Sequence, residues 1–523
     1  MARFFNTAGP CRPEDHYMLP AEERVTEIRP LVEQKAYFVI HAPRQVGKTT
    51  SLRSLAASLT AEGRYVAVHA SCEQGHDLAG DPDWAVDSVI DAVVRETCVL
   101  PEELRPPAPS SLEPVGPHSR LINFLTAWCE GCPKPVVLFF DEIDALMDQG
   151  LVTVLRQLRA GYPSRSGRFP WSVALIGLRD VRDYKLIRSE GHDPRLGTAS
   201  PFNVKVESLR LRHFDADEVR RLCAQHTEAT GQVFSPAACE RMFELTRGQP
   251  WLVNALARQL VEVLVPDREQ AIDAEPVGRA AQSLIQRRDT HIDSLIERLR
   301  EPRVERIIAP ILGGELIVGD RLDDDLSYVE DLGLVDAADG HLKIANPIYQ
   351  EVIPRALAGV TQKLIPHETR WYLTEDGRLD LPSLLEGFLE FWRLHGEPML
   401  GSQPYKEVAF QLLVMSFLQR VVNGGGRIQR EYALGRGRMD LVIQWPVGDG
   451  LQEEVLELKV WRDGRKDPES GAVEQLARYV TDLGLGRGAL LVFDRRSSAP
   501  PFAERSALRD FDHQGCRLFV MRL

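Results

Sequence analysis

Short, almost wholly apolar runs alternate with helix-period segments through the first third of the chain. AYFVIH (36–41), YVAVHAS (65–71), PVVLFF (135–140) and WSVALIGL (171–178) read as buried strands. Between them lie TTSLRSLAASLTAEG (49–63), WAVDSVIDAVVRETCV (84–99), a stretch around 119–130 and LVTVLRQLRAGY (151–162), all with helical apolar spacing. Strands that are apolar on both faces, each followed by a helix, predict an α/β fold built on a parallel sheet covered on both sides. Six prolines within 101–117 mark a loop or insertion.

Residues 206–265 read as all-helical. DADEVRRLCAQHTEATG opens on acidic residues and stops at Gly231, and SPAACERMFELTRG opens on Ser-Pro and stops at Gly248. Helices are expected at 303–312 and 320–333, followed by LVDAADGHLKIA, two short strands around the turn dipeptide Asp339-Gly340. Helix, helix, hairpin is the order of a winged helix. From about 383 onward helix and strand mix again, with IQREYALGRGRMDLVIQW, EEVLELKVW and GALLVFDR as strand candidates. The expected division is 1–205 for the parallel-sheet domain, 206–283 for a helical lid, 284–365 for the winged-helix module, 366–399 for a linker and 400–523 for a C-terminal α/β domain.

Composition narrows the partners. The 523 residues include 76 acidic and 63 basic side chains, a formal net charge of −13, so the long-range field repels phosphate and DNA contact needs a local basic patch. The apolar runs fall far short of the ~20 residues that span a bilayer, and no basic-then-apolar start is visible, so no membrane partner and a cytoplasmic location are expected. The eight cysteines are scattered, and the single CxxC, Cys129 and Cys132, ends a helix with no second pair nearby, so packing is expected rather than zinc or redox chemistry.

Candidate chemistry begins with Ala42-Pro43-Arg44-Gln45-Val46-Gly47-Lys48-Thr49-Thr50, between a strand and a helix. Loop amides and the helix N-terminus can cradle phosphates, Lys48 can reach the β- and γ-phosphates, Thr49 can offer a hydroxyl to Mg²⁺, and Gly47 lets the backbone come close. Ala42 stands where this phosphate-binding pattern has its first glycine, a position that tolerates alanine if φ is negative. PVVLFFDEID then delivers Asp141 to a strand end for the metal and Glu142 to polarise a water. Both motifs, in order, point to nucleotide binding. Here the chain resembles AAA+-like signal-transduction ATPases, and TRGQPWLVNALARQL (246–260) is similar to the G-x-P start of their lid. That resemblance implies ATP and Mg²⁺ as cofactors, a γ-phosphate sensor near Arg179 or Asp180, and a segment from Arg12 to Pro20 over the base; Arg179 and Arg182 could instead face a neighbouring subunit, and an oligomer is left open.

The second winged-helix helix carries Asp323, Asp324, Asp325, Glu330 and Asp331, which would be repelled by DNA, so a docking role is expected.

Near the C-terminus, Asp440 precedes a turn and then Glu457 and Lys459, two residues apart and so on one strand face. Carboxylates suit Mg²⁺ or Mn²⁺, and a lysine beside the metal can orient the attacking water. This Asp…ExK order resembles the PD-(D/E)XK nucleases. The resemblance extends to Glu407 in an upstream helix and to Gln475 and Tyr479, spaced as in their QxxxY element; Met439 stands where many members have proline. Arg427, Arg430, Arg436 and Arg438 are the candidate basic patch. The resemblances imply an ATP-binding, ATP-hydrolysing switch coupled to a metal-dependent DNA nuclease, in genome defence or DNA processing. The alternative is a regulatory ATPase whose nuclease-like domain only binds DNA or a protein.

Overall fold

The computed structural model describes residues 3–73, 81–177, 205–286, 295–312, 323–338, 340–362, 371–402, 409–423, 426–434, 437–448 and 450–523. It divides into two compact units, 1–291 with 319–348 and 292–318 with 349–523.

The first unit is organised by a five-stranded sheet in the order β2-β3-β4-β1-β5. Its strands are β1 (Tyr37–His41), β2 (Val66–Ser71), β3 (Val136–Asp141), β4 (Ser172–Gly177) and β5 (Lys205–Arg210). Every pairing is parallel, as the continuous apolar runs predict. Because side chains alternate across a strand, each strand feeds two cores. Tyr37, Val39, Val68, Leu138, Phe140 and Leu175 pack under α3 (Pro82–Thr97), α4 (Pro117–Gly131) and α5 (Asp148–Gly161). Phe38, Ile40, Ala67, Phe139 and Ile176 pack under α1 (Ile28–Glu33) and α2 (Lys48–Ala61). Cys129 is buried in the first of these cores and Cys132 lies against it, the packing role expected for the CxxC.

Local signals start and stop the helices that follow β5. α6 (Ala216–Thr230) opens with a reciprocal capping box between Asp215 and Glu218 and ends at Gly231 with φ +82°. α7 (Pro236–Thr246) is capped by the Ser235 hydroxyl, and α8 (Pro250–Gln259) by the Gln249 side chain. α9 (Ala274–Gln286) follows. Residues 206–210, placed with the helices, instead form most of the edge strand β5. The segment KVESLR is short and mixed in polarity, and its strand state is stabilised by pairing with β1, which local periodicity does not report.

The helices Pro302–Leu312 and Asp324–Asp331 and the hairpin β6 (Val335–Ala338) and β7 (His341–Ile344) occur in the expected order. The division between units passes between the two helices, so the helix Asp324–Asp331 and the hairpin belong to the first unit and Pro302–Leu312 to the second.

The second unit holds a six-stranded mixed sheet in the order β12-β13-β11-β10-β9-β8. Its strands are β8 (Arg427–Leu434), β9 (Gly437–Val447), β10 (Gly450–Trp461), β11 (Arg487–Asp494), β12 (Ala507–His513) and β13 (Cys516–Arg522). β10, β11 and β13 are mutually parallel neighbours, and the outer strands are antiparallel. Much of the stretch read as linker is the helix Leu381–Ser402, whose Leu384, Leu385, Phe388 and Trp392 join Leu441, Ile443, Leu456 and Leu458 in one core. Tyr372 and Trp371 belong to the same core, and a Cβ on Gly387 would fall 2.1 Å from the Trp371 ring.

Candidate functional sites

The phosphate-loop motif is built where β1 ends. Ala42 N donates to Gly177 O at 3.3 Å, so Ala42 prolongs the strand ladder, and it is not among the positive-φ residues. Alanine therefore fits where a glycine is usual. The loop turns at Gln45 (φ +59°) and at Gly47 (φ +90°), the N-cap of α2. A Cβ on Gly47 would lie 2.9 Å from an Arg24 guanidinium nitrogen, so glycine is required there on both conformational and steric grounds. Lys48 Nζ donates to Ala42 O at 2.6 Å and Pro43 O at 2.9 Å, folding the ammonium back over the loop. Burial lowers the Lys48 pKa, opposed by the charges of Glu142, Asp141 and Asp144.

β3 brings Asp141 to the same place. Thr49 Oγ1 donates to Asp141 Oδ2 at 2.6 Å, and the Glu142 amide donates to Oδ1 at 2.9 Å. His69 on β2 adds a third contact, Nε2 to Asp141 Oδ2 at 3.0 Å, and both residues are buried. An ionised carboxylate only accepts, so this nitrogen carries the proton. Burial pushes the Asp141 pKa up, but His69, Thr49 and Lys48 outweigh it and hold the carboxyl below its usual range. Glu142 is different. It sits in the left-handed region at φ +54°, and burial, then Asp144 and Asp141, raise its pKa. A hydroxyl and a carboxylate joined at a strand end are hard-oxygen donors and fit Mg²⁺.

The loop opens into a cleft of about 380 Å³. It is lined by Lys48, Thr49, Glu73 and Glu142, by the segments 6–11 and 17–19, and by Pro250, Trp251 and Asn254 of α8. Polar contacts hold the N-terminal segment there. Cys11 N donates to Thr50 Oγ1 at 3.1 Å, Trp251 Nε1 donates to Thr7 O at 2.8 Å, and Gln225 bonds both the amide and the carbonyl of Met18 at 3.1 and 2.9 Å. Arg24 braces the loop from behind, donating to Val46 O at 2.7 Å and Arg212 O at 2.6 Å, and its pKa is lowered to about 10 by burial. His41, at the end of β1, lies 3.2 Å from Ser208 Oγ and 3.5 Å from Asp331 Oδ1. Arg179, Asp180 and Arg182 lie outside the described residues.

Sequence reasoning missed His69, Arg24, Trp251 and Asn254. Trp251 and Asn254 stand in the lid motif already singled out, so that motif was a usable pointer. His69 and Arg24 carried no local signal.

In the second unit, Glu457 and Lys459 occupy β10, with Nζ 2.6 Å from Glu457 Oε1. Glu457 is buried and the Lys459 side chain is about one-third exposed. Leu456 and Leu458 face the core under the helix Leu381–Ser402, whereas Val455 faces the core under the helix Glu469–Asp482. Alternation therefore puts 457 and 459 on the side of Glu469–Asp482. That helix carries Gln475 and Tyr479, joined by Gln475 Nε2 to Tyr479 OH at 2.9 Å. Val442 packs in the same core, which places position 440 on the same face, and the pairing of Leu441 with Leu456 brings 440 beside 457 across the β9–β10 register. The side chains of Asp440, Arg427, Arg430 and Arg438, together with Glu407 and Arg436, lie outside the described residues. Among the described residues no group of three or more His, Cys, Asp or Glu side chains could hold a metal ion.

An all-parallel sheet in which the interior strand β1 runs through a glycine-containing loop into a helix, with an acidic residue ending the neighbouring-but-one strand, defines a P-loop fold. No protein-family model matches the chain, and no curated protein does. Solved structures do. A Walker-type ATPase of Pyrococcus abyssi is 16% identical with a TM-score of 0.47, covering 67% of this chain and 99% of its own. The ORC2 protein of Aeropyrum pernix, in ADPNP and ADP complexes, is 17% identical with a TM-score of 0.39 over 68% of this chain and 96% of its own. The RuvB Holliday junction branch migration motor of Thermotoga maritima is 14% identical with a TM-score of 0.34 over 63% of this chain and 92% of its own. Among the described residues no helix is long and apolar enough to cross a membrane.

Proposed function

We propose that the chain is an ATP-binding and ATP-hydrolysing switch coupled to a metal-dependent DNA nuclease. The observation that carries the reading is the part-buried Thr49–Asp141 contact of 2.6 Å beside Lys48, which joins the two sequence motifs at one point. In this reading the amides of 42–50 and Lys48 bind the triphosphate, and Thr49 and Asp141 hold Mg²⁺. Glu142 takes the proton of the attacking water, its raised pKa bringing it nearer to the working pH of a general base. Arg179 or Asp180 senses the γ-phosphate.

The nuclease half rests on one shared face: Glu457 and Lys459 on β10, position 440 beside them, and Gln475 with Tyr479 on the covering helix. Asp440 and Glu457 would hold Mg²⁺ or Mn²⁺, with Glu407 as an accessory ligand, while Lys459 orients the water. Bound at these sites, a divalent ion supplies positive charge to phosphate oxygens and acidifies a water. Hydrolysis at the first site would reposition lid, hairpin and nuclease, in genome defence or DNA processing.

The test is an assay of linear and circular DNA with Mg²⁺ or Mn²⁺, with and without ATP. Lys48→Ala should abolish ATP turnover, and Asp440→Ala should abolish cutting while leaving ATP turnover intact. Equal DNA degradation by wild type and Asp440→Ala would remove the nuclease half and leave a regulatory ATPase.

A further inference from the structure

The lid end of the nucleotide cleft holds an acceptor with nothing to accept. Asn254 on α8 lines the cleft and is 8% exposed. Its Nδ2 donates to Pro250 O at 2.8 Å, one helical turn back. Its Oδ1 is shielded from solvent and has no hydrogen-bond partner among the described residues. A buried carbonyl left unpaired costs free energy that a bound donor would recover. The amide cannot simply turn over to resolve this, because Oδ1 would then face the Pro250 carbonyl, acceptor against acceptor. The orientation of the acceptor is therefore fixed by the helix itself.

The surroundings suit a planar base. Pro10, Pro250 and Trp251 line the same cleft. The Trp251 indole is held by its bond to Thr7 O, so the ring cannot rotate freely. Lys48 and Thr49 line this cleft as well, so a nucleotide with its phosphates on them lies in the cleft that Asn254 lines.

We infer that Asn254 selects the base, its Oδ1 accepting a hydrogen bond from the exocyclic amino group of adenine. This rests on the nucleotide reading of the cleft and adds the residue that discriminates. Hypoxanthine, which carries a carbonyl at that ring position, sets oxygen against oxygen and leaves Asn254 unsatisfied. A site built around such a bond discriminates by roughly tenfold or more.

The test compares ATP with ITP, which share ribose and triphosphate, by displacement of a ribose-labelled fluorescent ATP from the full chain. Wild type should bind ATP at least roughly tenfold tighter than ITP. Asn254→Ala and Asn254→Leu should bring the two affinities within about threefold of each other, through loss of ATP affinity with ITP nearly unchanged. An undiminished ATP preference in both Asn254→Ala and Asn254→Leu, in protein with the wild-type unfolding transition, overturns the assignment while leaving nucleotide binding intact. Failure of wild type to bind either nucleotide overturns both.

Discussion

His69 Nε2 and Asp141 Oδ2 lie 3.0 Å apart, although the two residues are 72 positions apart in the chain and stand on neighbouring strands. The same carboxylate oxygen receives the Thr49 hydroxyl. The imidazole thus fixes the orientation of the group expected to face the metal. His69→Ala should weaken the Mg²⁺ dependence of nucleotide binding, by roughly fivefold for the loss of one hydrogen bond. Magnesium titration at fixed nucleotide checks this, and binding of nucleotide in the presence of EDTA should be unaffected.

Lys48 is buried and its ammonium is satisfied only by loop carbonyls among the described contacts. A triphosphate offers stronger, charge-assisted partners. Lys48→Ala should therefore lower ATP affinity by roughly 10–100-fold, the equivalent of a hydrogen bond to a charged group. Equilibrium binding measures it, and a change below about threefold would contradict the role of Lys48.

Gly333, in the turn after the helix Asp324–Asp331, presses on the phosphate loop. Its φ is +73°, and a Cβ there would fall 2.7 Å from Pro43 Cγ. Gly333→Ala combines an unfavourable backbone conformation with a clash, at a cost of order 1–3 kcal/mol. Since the displaced atom belongs to the loop, nucleotide affinity should fall along with the melting temperature. Gly340, with φ +80° but nothing within 4 Å of a Cβ, is the control: Gly340→Ala should lose stability without loss of nucleotide affinity.

Glu218 caps α6 by accepting from the Asp215 amide at 2.9 Å and forms a bidentate pair with Arg212, one bond at 2.8 Å. Burial raises its pKa, but Arg212 and the Asp215 amide outweigh this and hold it below the usual value. A depressed folded-state pKa adds stability above the unfolded value, about 4.3, and that stability is lost as pH falls through the folded value. Glu218→Gln should thus unfold at a lower temperature than wild type at neutral pH, and the difference should shrink in acid below pH ~4. Thermal unfolding at several pH values reads it directly.

Contiguous residues determined a great deal of this protein. The strands β1 to β4, the helices between them, the phosphate loop and the acidic end of β3 are all set by local periodicity and by residues next to one another. So were the hairpin at Asp339-Gly340 and the face shared by Glu457 and Lys459. Tertiary structure alone decided the rest. Strand order put β2 beside β3 and so gave Asp141 its histidine; pairing with β1 turned KVESLR into a strand; a hydrophobic face turned much of the expected linker 366–399 into core. The N-terminal segment over the cleft, Gly333 on Pro43 and the unanswered acceptor of Asn254 are likewise products of folding. The reason is physical: a residue's own periodicity records which face it buries, whereas its partner on that face depends on how distant segments pack.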